Sequence, residues 1–259
     1  MWNEYVYVAG WKELSLVDVV ESTSFTVWFN FCNFNCPWCS NAHVVKGIEK
    51  RRIRVIDLFN RVKEAVNFID YFHVTGGEPT LQPKPLFKIF RMVHEKLSLP
   101  NSLDTNGSYP EVLSKLIGIT DHIAIDVKAP LSNPLLYSKS IGLPLRATEF
   151  FIPRIRKSLE GSLNVNFFEV RTTLVPKLIG KAEAIEIARD LLPIVSRGRK
   201  RVVFVVQQFI PYGNIMSEEY RSSKRTPPEY VKEIAKEVAE ILPTEVYYRT
   251  LEEGTKKIQ

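Results

Sequence analysis

The chain has 259 residues, of which 45% are hydrophobic and 25% are charged, so it can form a packed core and is not disordered along its whole length. Lysine and arginine number 35 against 29 aspartates and glutamates, and the formal net charge of +6 is too small to require nucleic acid as a partner. No apolar run approaches the roughly 20 residues of a membrane helix, and the start MWNEYVYVAGWKEL lacks the basic segment of a signal peptide, so we expect a cytoplasmic protein without a membrane partner.

Short apolar segments alternate with longer amphipathic segments along most of the chain. The short segments are rich in Val, Ile, Phe and Tyr, which is typical of buried strands. In chain order they are FTVWFN from Phe25, YFHVT from Tyr71, NSLDT from Asn101, HIAIDVK from His122, NFFEVRTTLV from Asn166 and VVFVVQQFI from Val202. A last segment, EVYYRT from Glu245, is expected to add a strand.

The longer segments between these strands are predicted helices. In IDLFNRVKEAVNFI, the residues Ile56, Phe59, Val62, Val66 and Ile69 recur near the 3.6-residue helical period. The other predicted helices are PLFKIFRMVHEKL, PEVLSKLI, ATEFFIPRIRKSL, AEAIEIARDLLPIV and PPEYVKEIAKEVAEIL. Several of them have Pro or Thr in the first turn, which suits a helix start.

Six strand-then-helix units in series predict an α/β fold with parallel strands and right-handed crossovers. Six units are two short of a full (β/α)₈ barrel, so we expect a partial (β/α)₆ TIM-like barrel that is open on one side. We expect a single domain over residues 1–259, with a core of about 22–250, because no convincing linker interrupts the pattern. Ligands of such folds gather at the carboxyl ends of the strands.

All three cysteines lie in the loop after the first predicted strand, at Cys32, Cys36 and Cys39. Three thiolates in one short loop suit an inorganic centre better than a disulfide framework. A [4Fe–4S] cluster normally takes four cysteines, so three would leave one iron open to a chelating molecule. The alternative is a zinc site that His43 completes as a fourth ligand, as in a zinc-stabilised binding protein.

The CxxxCxxC spacing, with Trp38 just before the third cysteine, resembles the radical S-adenosylmethionine (radical SAM) superfamily. The resemblance implies a [4Fe–4S] cluster on Cys32, Cys36 and Cys39, whose open iron is chelated by the amino and carboxylate groups of S-adenosylmethionine. It also implies that Trp38 packs on the adenine side of this cofactor. A role for Trp38 as an anchor of the loop is compatible with that.

The second strand ends in TGGEP, which as an isolated motif would be a turn, since paired glycines allow sharp bends and close backbone approach. One unit after the cysteine loop, GGEPTLQ resembles the second motif of the superfamily. The resemblance implies that Gly76, Gly77 and Glu78 bind the cofactor, with the backbone receiving its methionyl amino group.

The next strand ends, LDTNG and IDVKAP, resemble those of enzymes that activate glycyl radical enzymes. The resemblance implies that Lys128 pairs with the cofactor carboxylate, and that Asp104 and Asp126 line a site for a monovalent cation. It also implies that Arg171, in EVRTT, approaches the same carboxylate. Without the resemblance, LDTNG would indicate only an Asn-Gly turn, and Asp126 with Lys128 would indicate only a surface ion pair.

The resemblance implies reductive cleavage of S-adenosylmethionine to a 5′-deoxyadenosyl radical, which abstracts hydrogen from a glycine of a partner glycyl radical enzyme. The partner would resemble anaerobic ribonucleotide reductase or pyruvate formate-lyase, and an open side of the barrel would admit its glycine loop. Ile210-Pro211-Tyr212-Gly213 departs from the family pattern LPYH, so the histidine that meets the cofactor in the pyruvate formate-lyase activator is absent here. The alternative substrates are a small molecule, a peptide or a tRNA base.

Two basic runs carry further expectations. The first contains Lys46, Lys50, Arg51, Arg52 and Arg54, and the second contains Arg197, Arg199, Lys200 and Arg201. Both are expected mainly as solvated faces, and the first is also a candidate docking site for an acidic reductant, a flavodoxin or ferredoxin. No aromatic stacking motif accompanies this charge, so nucleic acid is not expected. His73 is expected to be a packed core residue.

Overall fold

The computed structural model describes residues 4–258. The strands are β1 (Tyr5–Val19), β2 (Ser22–Phe29), β3 (Arg51–Arg54), β4 (Tyr71–Gly76), β5 (Asn101–Thr105), β6 (His122–Asp126), β7 (Phe167–Leu174), β8 (Arg201–Gln208), β9 (Glu245–Thr250) and β10 (Gly254–Lys257). The helices are α1 (Ala42–Val45), α2 (Val55–Ala65), α3 (Pro83–Leu97), α4 (Pro110–Leu116), α5 (Pro134–Ile141), α6 (Leu145–Ser162), α7 (Lys181–Val195), α8 (Glu218–Arg221) and α9 (Pro228–Ile241). No helix in this part of the chain is long and apolar enough to cross a membrane.

The strands form one mostly parallel sheet in the order β10-β9-β8-β7-β6-β5-β4-β2-β1-β3. The pairs β2–β4, β4–β5, β7–β8 and β8–β9 are parallel, and helices connect most of these strands. The order begins at β10 and ends at β3, so over the described residues the sheet does not close into a barrel. The predicted α/β fold, with six parallel strands and an open sheet, is confirmed, and β9 is the expected added strand.

The sequence analysis assigned no strand to the amino-terminal segment. There β1 pairs antiparallel with β2 on one side and with β3 on the other. The pairing of β1 with β2 contains register shifts, and these interrupt the simple alternation by which a strand is recognised. Three residues of the first basic run, Arg51, Arg52 and Arg54, lie in β3, which is mostly exposed and forms the edge of the sheet.

Contacts between residues divide the chain into two compact units, and the prediction of a single domain stays a prediction. The described part of the first unit is 4–33, His43–Thr105 and Glu111–Ala124, and that of the second is Phe34–Ala42, Asn106–Pro110 and 125–258. In the first unit, the fully buried rings of Phe25, Phe72 and Phe90 pack in sequence between the sheet and α3. In the second, β7 and β8 are buried along almost their whole length.

Candidate functional site

The part of the cysteine loop in the second unit is tied to its surroundings through its backbone. The Asn35 amide donates to the carbonyl of Ile141, 2.9 Å away, and the Pro37 carbonyl accepts from Ser217 at 3.1 Å. Gly142, which ends α5 with φ +65°, packs so closely on Asn35 that a Cβ would overlap the Asn35 carbonyl. These backbone contacts therefore contribute to the course of the loop.

None of the three cysteines is in a disulfide, and an iron–sulfur cluster is bound by cysteine thiolates. Cys36 is buried, and its carbonyl accepts from the Cys39 amide at 3.1 Å, so both residues lie on one tight turn. Burial raises the pKa of the Cys39 thiol, and a backbone hydrogen bond from Asn41 and the charge of Lys128 offset only part of this increase. Within residues 4–258, no three His, Cys, Asp or Glu side chains are grouped as around a single metal ion.

Trp38 is fixed by hydrogen bonds to α5. Its indole nitrogen donates to the Ser140 carbonyl at 3.0 Å, and the Ser140 hydroxyl donates to the Lys128 carbonyl at 2.6 Å. The Lys128 ammonium lies 5.2 Å from the centre of the indole ring, within the range of a cation–π contact. These contacts give Trp38 the anchoring role considered for it, and its contact with adenine stays a prediction.

Asp126, Lys128 and Arg171 meet after β6 and on β7. The Arg171 Nε donates to Asp126 Oδ1 at 2.8 Å, and the Lys128 ammonium is 3.4 Å from Asp126 Oδ2. Burial opposes the charged form of Lys128 and is the largest single influence, but the negative groups around it, Asp126 first and then Cys36, Tyr137 and Cys39, together hold the pKa of the ammonium above its usual value. Two permanent cations thus share one carboxylate, and their surplus positive charge suits a ligand carboxylate.

The two glycines of TGGE are required by close packing within the first unit. Gly76 has φ +121°, and a Cβ on it would overlap the Phe29 backbone, while a Cβ on Gly77 would overlap the Phe31 carbonyl. The Gly77 amide donates to the Phe29 carbonyl at 2.9 Å, and the Glu78 amide donates to the Phe31 carbonyl at 2.7 Å. The turn is therefore bonded to the chain just before Cys32.

Glu78 was predicted to bind the cofactor, and the structure shows that its carboxylate has partners inside the protein. The side chain is fully buried. Its Oε1 accepts from the Thr80 amide at 3.0 Å and from the Thr105 hydroxyl at 2.8 Å. These bonds join the turn after β4 to the end of β5, so Glu78 acts on the shape of the turn.

Asp104 lies at the end of β5 in a polar row that the sequence analysis did not foresee. Its Oδ2 accepts from the Thr75 hydroxyl at 3.0 Å and lies 3.5 Å from His73 Nε2. The Nδ1 atoms of the buried His73 and His122 each lie 2.7 Å from the Ser102 hydroxyl. His73 is thus the packed core residue that was expected, and the cation site predicted for Asp104 and Asp126 stays a prediction.

Comparisons with known proteins identify the family. The model of the radical SAM superfamily matches residues 26–178, which is more than half of the chain. A provisionally named glycyl-radical enzyme activating enzyme of Methanocaldococcus jannaschii is 30% identical over 254 residues, 97% of this chain and 98% of that protein. The pyruvate formate-lyase-activating enzyme of Streptococcus mutans is 30% identical over 119 residues, 40% of this chain and 44% of that enzyme.

Two further matches are of different kinds. The 7-carboxy-7-deazaguanine synthase of Thermococcus kodakarensis is 31% identical over 121 residues, 39% of this chain and 47% of that enzyme. The solved structure of TYW1 with a lysine-pyruvate adduct bound has a TM-score of 0.57 at 15% identity, over 89% of this chain and 77% of the other, and so supports the fold alone. This chain belongs to the radical SAM superfamily and is an enzyme that uses a [4Fe–4S] cluster and S-adenosylmethionine.

Proposed function

We propose that this enzyme activates a glycyl radical enzyme by abstracting hydrogen from one of its glycines. The observation that carries the proposal is the 30% identity to the M. jannaschii protein, because it extends over nearly the full length of both chains. The shorter match to a pyruvate formate-lyase-activating enzyme supports the same class of protein substrate. The resemblance of LDTNG and IDVKAP, at two strand ends, to the activating enzymes of glycyl radical enzymes supports the same proposal.

The cluster on Cys32, Cys36 and Cys39 would supply the electron that cleaves S-adenosylmethionine, and the resulting 5′-deoxyadenosyl radical takes hydrogen from the substrate. The protein's own residues bind and orient the cofactor. Lys128 and Arg171 supply the positive charge for its carboxylate, and Trp38 fixes the course of the cysteine loop. The Gly76–Gly77 turn, bonded to the backbone before Cys32, is the proposed site for the methionyl amino group.

The first basic run is a candidate docking surface for the reductant. Lys50, Arg51 and Arg52 are exposed, and the Arg52 guanidinium stacks 3.8 Å from the centre of the Tyr5 ring. The second run is instead bonded to its neighbours, since Arg197 pairs with Glu160 at 3.0 Å. A flavodoxin or ferredoxin, being acidic, suits the exposed surface.

The docking surface can be tested by changing Lys50, Arg51 and Arg52 to Gln together. Reduction of the cluster by a flavodoxin should become slower and less dependent on salt, while reduction by dithionite should not change. The same triple change at Arg197, Arg199 and Lys200 is the matched control. Equal rates of flavodoxin reduction in wild type and both variants would exclude the surface.

The main proposal is tested anaerobically with protein reconstituted with iron and sulfide. Reduced enzyme, S-adenosylmethionine and an anaerobic ribonucleotide reductase or pyruvate formate-lyase should give 5′-deoxyadenosine and the doublet of a glycyl radical in an electron paramagnetic resonance (EPR) spectrum. The Cys36→Ala variant should give neither, and a partner with its glycine changed to alanine should give no doublet. Cofactor cleavage without a radical on either partner would count against the proposal.

A small heterocyclic substrate is the second candidate. The match to a 7-carboxy-7-deazaguanine synthase favours it, although that match covers only 39% of this chain. A small substrate of this kind should accelerate 5′-deoxyadenosine formation and be consumed in proportion to it, without any protein partner. Acceleration by a glycyl radical enzyme instead would exclude it.

A further inference from the structure

Five charged side chains of alternating sign form a row in the second unit, and the site described above uses only three of them. Beyond Lys128, Asp126 and Arg171 the row continues to Glu169 and Arg249. Glu169 Oε1 lies 3.9 Å from Arg171 Nη1 and 3.4 Å from Arg249 Nη2. The row thus runs from the end of β6 and the loop after it, through β7, to β9.

Glu169 is the deepest member of this row, with a side chain that is 0% exposed. A buried carboxylate is costly unless cations and hydrogen bonds compensate it, and Glu169 lies between two arginines that can do so. Glu169 and Arg171 are two residues apart on β7, so their side chains leave the strand on the same face. Glu169 therefore acts on Arg171 directly.

Arg249 closes the far end of the row. Its Nε donates to the Thr255 hydroxyl at 2.8 Å, and Thr255 is its register partner on β10. The arginine is thus held by the β9–β10 hairpin while its Nη2 reaches Glu169. A planar guanidinium with carboxylates on two sides has less freedom to reorient, and Arg171 is in this position, since it is hydrogen-bonded to Asp126 at 2.8 Å and forms an ion pair with Glu169 at 3.9 Å.

We propose that Glu169 and Arg249 are positioning residues for cofactor recognition, which hold the Arg171 guanidinium in the orientation that receives the cofactor carboxylate. Lys128, Asp126, Arg171, Glu169 and Arg249 carry three positive and two negative charges. The row therefore keeps one positive charge for a ligand while fixing the geometry of Arg171. The inference rests on the cofactor of the family and not on the proposed protein partner, because it concerns binding that needs no partner.

The test is calorimetric titration of S-adenosylmethionine into the reconstituted holoenzyme without a protein partner. Glu169→Gln and Arg249→Met should each raise the Kd about tenfold, as for the loss of a charged hydrogen bond. Arg249→Lys should recover part of the affinity. The double variant Glu169→Gln/Arg249→Met should bind S-adenosylmethionine no more weakly than the single variant with the higher Kd, because both changes remove the same contact. At saturating cofactor, the EPR spectrum of the reduced cluster should be that of the wild type.

The matched control is Arg201→Met, which breaks an ion pair of 3.2 Å to Glu245 between β8 and β9 at the opposite ends of these strands. It should lower stability without changing the Kd. An unchanged Kd in Glu169→Gln that holds its full iron, or an equal rise of the Kd in Arg201→Met, would overturn the proposal. If Glu169→Gln does not fold, the two Arg249 variants decide, because the Arg249 side chain is 18% exposed and tolerates change better. These outcomes do not depend on whether a glycyl radical ever forms.

Discussion

The backbone carbonyl of Phe31 occupies the position that a Cβ on Gly77 would need. The neighbouring Glu78 amide donates to the same carbonyl at 2.7 Å, so the turn after β4 and the segment before Cys32 are in direct backbone contact. Neither backbone can move away without breaking this bond. The absence of a side chain at residue 77 is therefore a condition for the start of the cysteine loop to take this course.

Gly77→Ala should lower the stability of the protein by about 1–3 kcal/mol or more, because an overpacked site in contact with backbone cannot relax easily. The change should be measured as a fall in Tm, together with lower iron content after reconstitution. Gly213→Ala is the control, since nothing lies within 4 Å of a Cβ there, and its Tm should stay close to that of the wild type. Equal Tm values for the two variants would contradict the packing described for Gly77.

Trp38→Phe should keep an aromatic ring at this position but lose the hydrogen bond from the indole nitrogen to the Ser140 carbonyl. The protein should lose about 0.5–1.5 kcal/mol of stability. The Kd for S-adenosylmethionine should rise, because Lys128 is bonded to the same serine through its carbonyl. Trp11→Phe, on β1 in the first unit, is the control. Calorimetry of both reconstituted variants measures the effect, and a Kd equal to that of the control would show that the hydrogen bond does not matter for the cofactor.

Asp126→Asn should destabilise the protein by about 1–3 kcal/mol, because Arg171 and Lys128 lose the carboxylate that both contact. The double variant Asp126→Asn/Lys128→Met should be more stable than Asp126→Asn alone, because it removes the largely buried Lys128 ammonium that has lost its carboxylate, while Arg171 still pairs with Glu169. Thermal unfolding of the wild type, Asp126→Asn, Lys128→Met and the double variant gives the coupling free energy between the two residues. If the changes in the free energy of unfolding were strictly additive, Asp126 and Lys128 would not interact as their distance indicates.

The stability of the protein should fall between about pH 10 and pH 12 partly through Tyr247. Burial, with a hydrogen bond to Glu245, raises the pKa of Tyr247 to about 12. In this range the unfolded chain loses the phenol proton while the folded chain retains it, so the free energy of unfolding decreases as pH rises. Tyr247→Phe should show a smaller decrease in Tm between these pH values. An identical decrease in wild type and variant would contradict the raised pKa.

The parallel strands were the easiest part of the fold to predict, because most of them are continuous apolar segments of the sequence. The predicted segments HIAIDVK and VVFVVQQFI contain β6 and all of β8 except its first residue. The hairpin of β1 was missed because its register shifts and its exposed residues Leu14 and Leu16 break the alternation on which the prediction depends. Which backbone pairs with such a strand is decided by tertiary contacts and not by local composition.

The candidate site was predictable as a set of motifs and not as a set of contacts. The resemblance implied that Glu78 binds the cofactor, which stays a prediction, but it did not indicate that the Glu78 carboxylate accepts a hydrogen bond from Thr105, 27 residues away. Arg249 lies 80 residues from Glu169 in the sequence, and no local sequence pattern predicts that they pair. Long-range polar pairs of this kind depend on the strand order, which a single sequence does not supply.

The anchoring of the cysteine loop through Asn35, Pro37 and Trp38 has a consequence for how the enzyme matures. Small metal domains that gain their structure only with the metal must spend part of the binding energy on ordering the chain. Here backbone hydrogen bonds of Asn35 and Pro37 and the indole of Trp38 contribute to the order of the loop, so we expect cluster insertion to change the far-ultraviolet circular dichroism spectrum less than it does in such small domains.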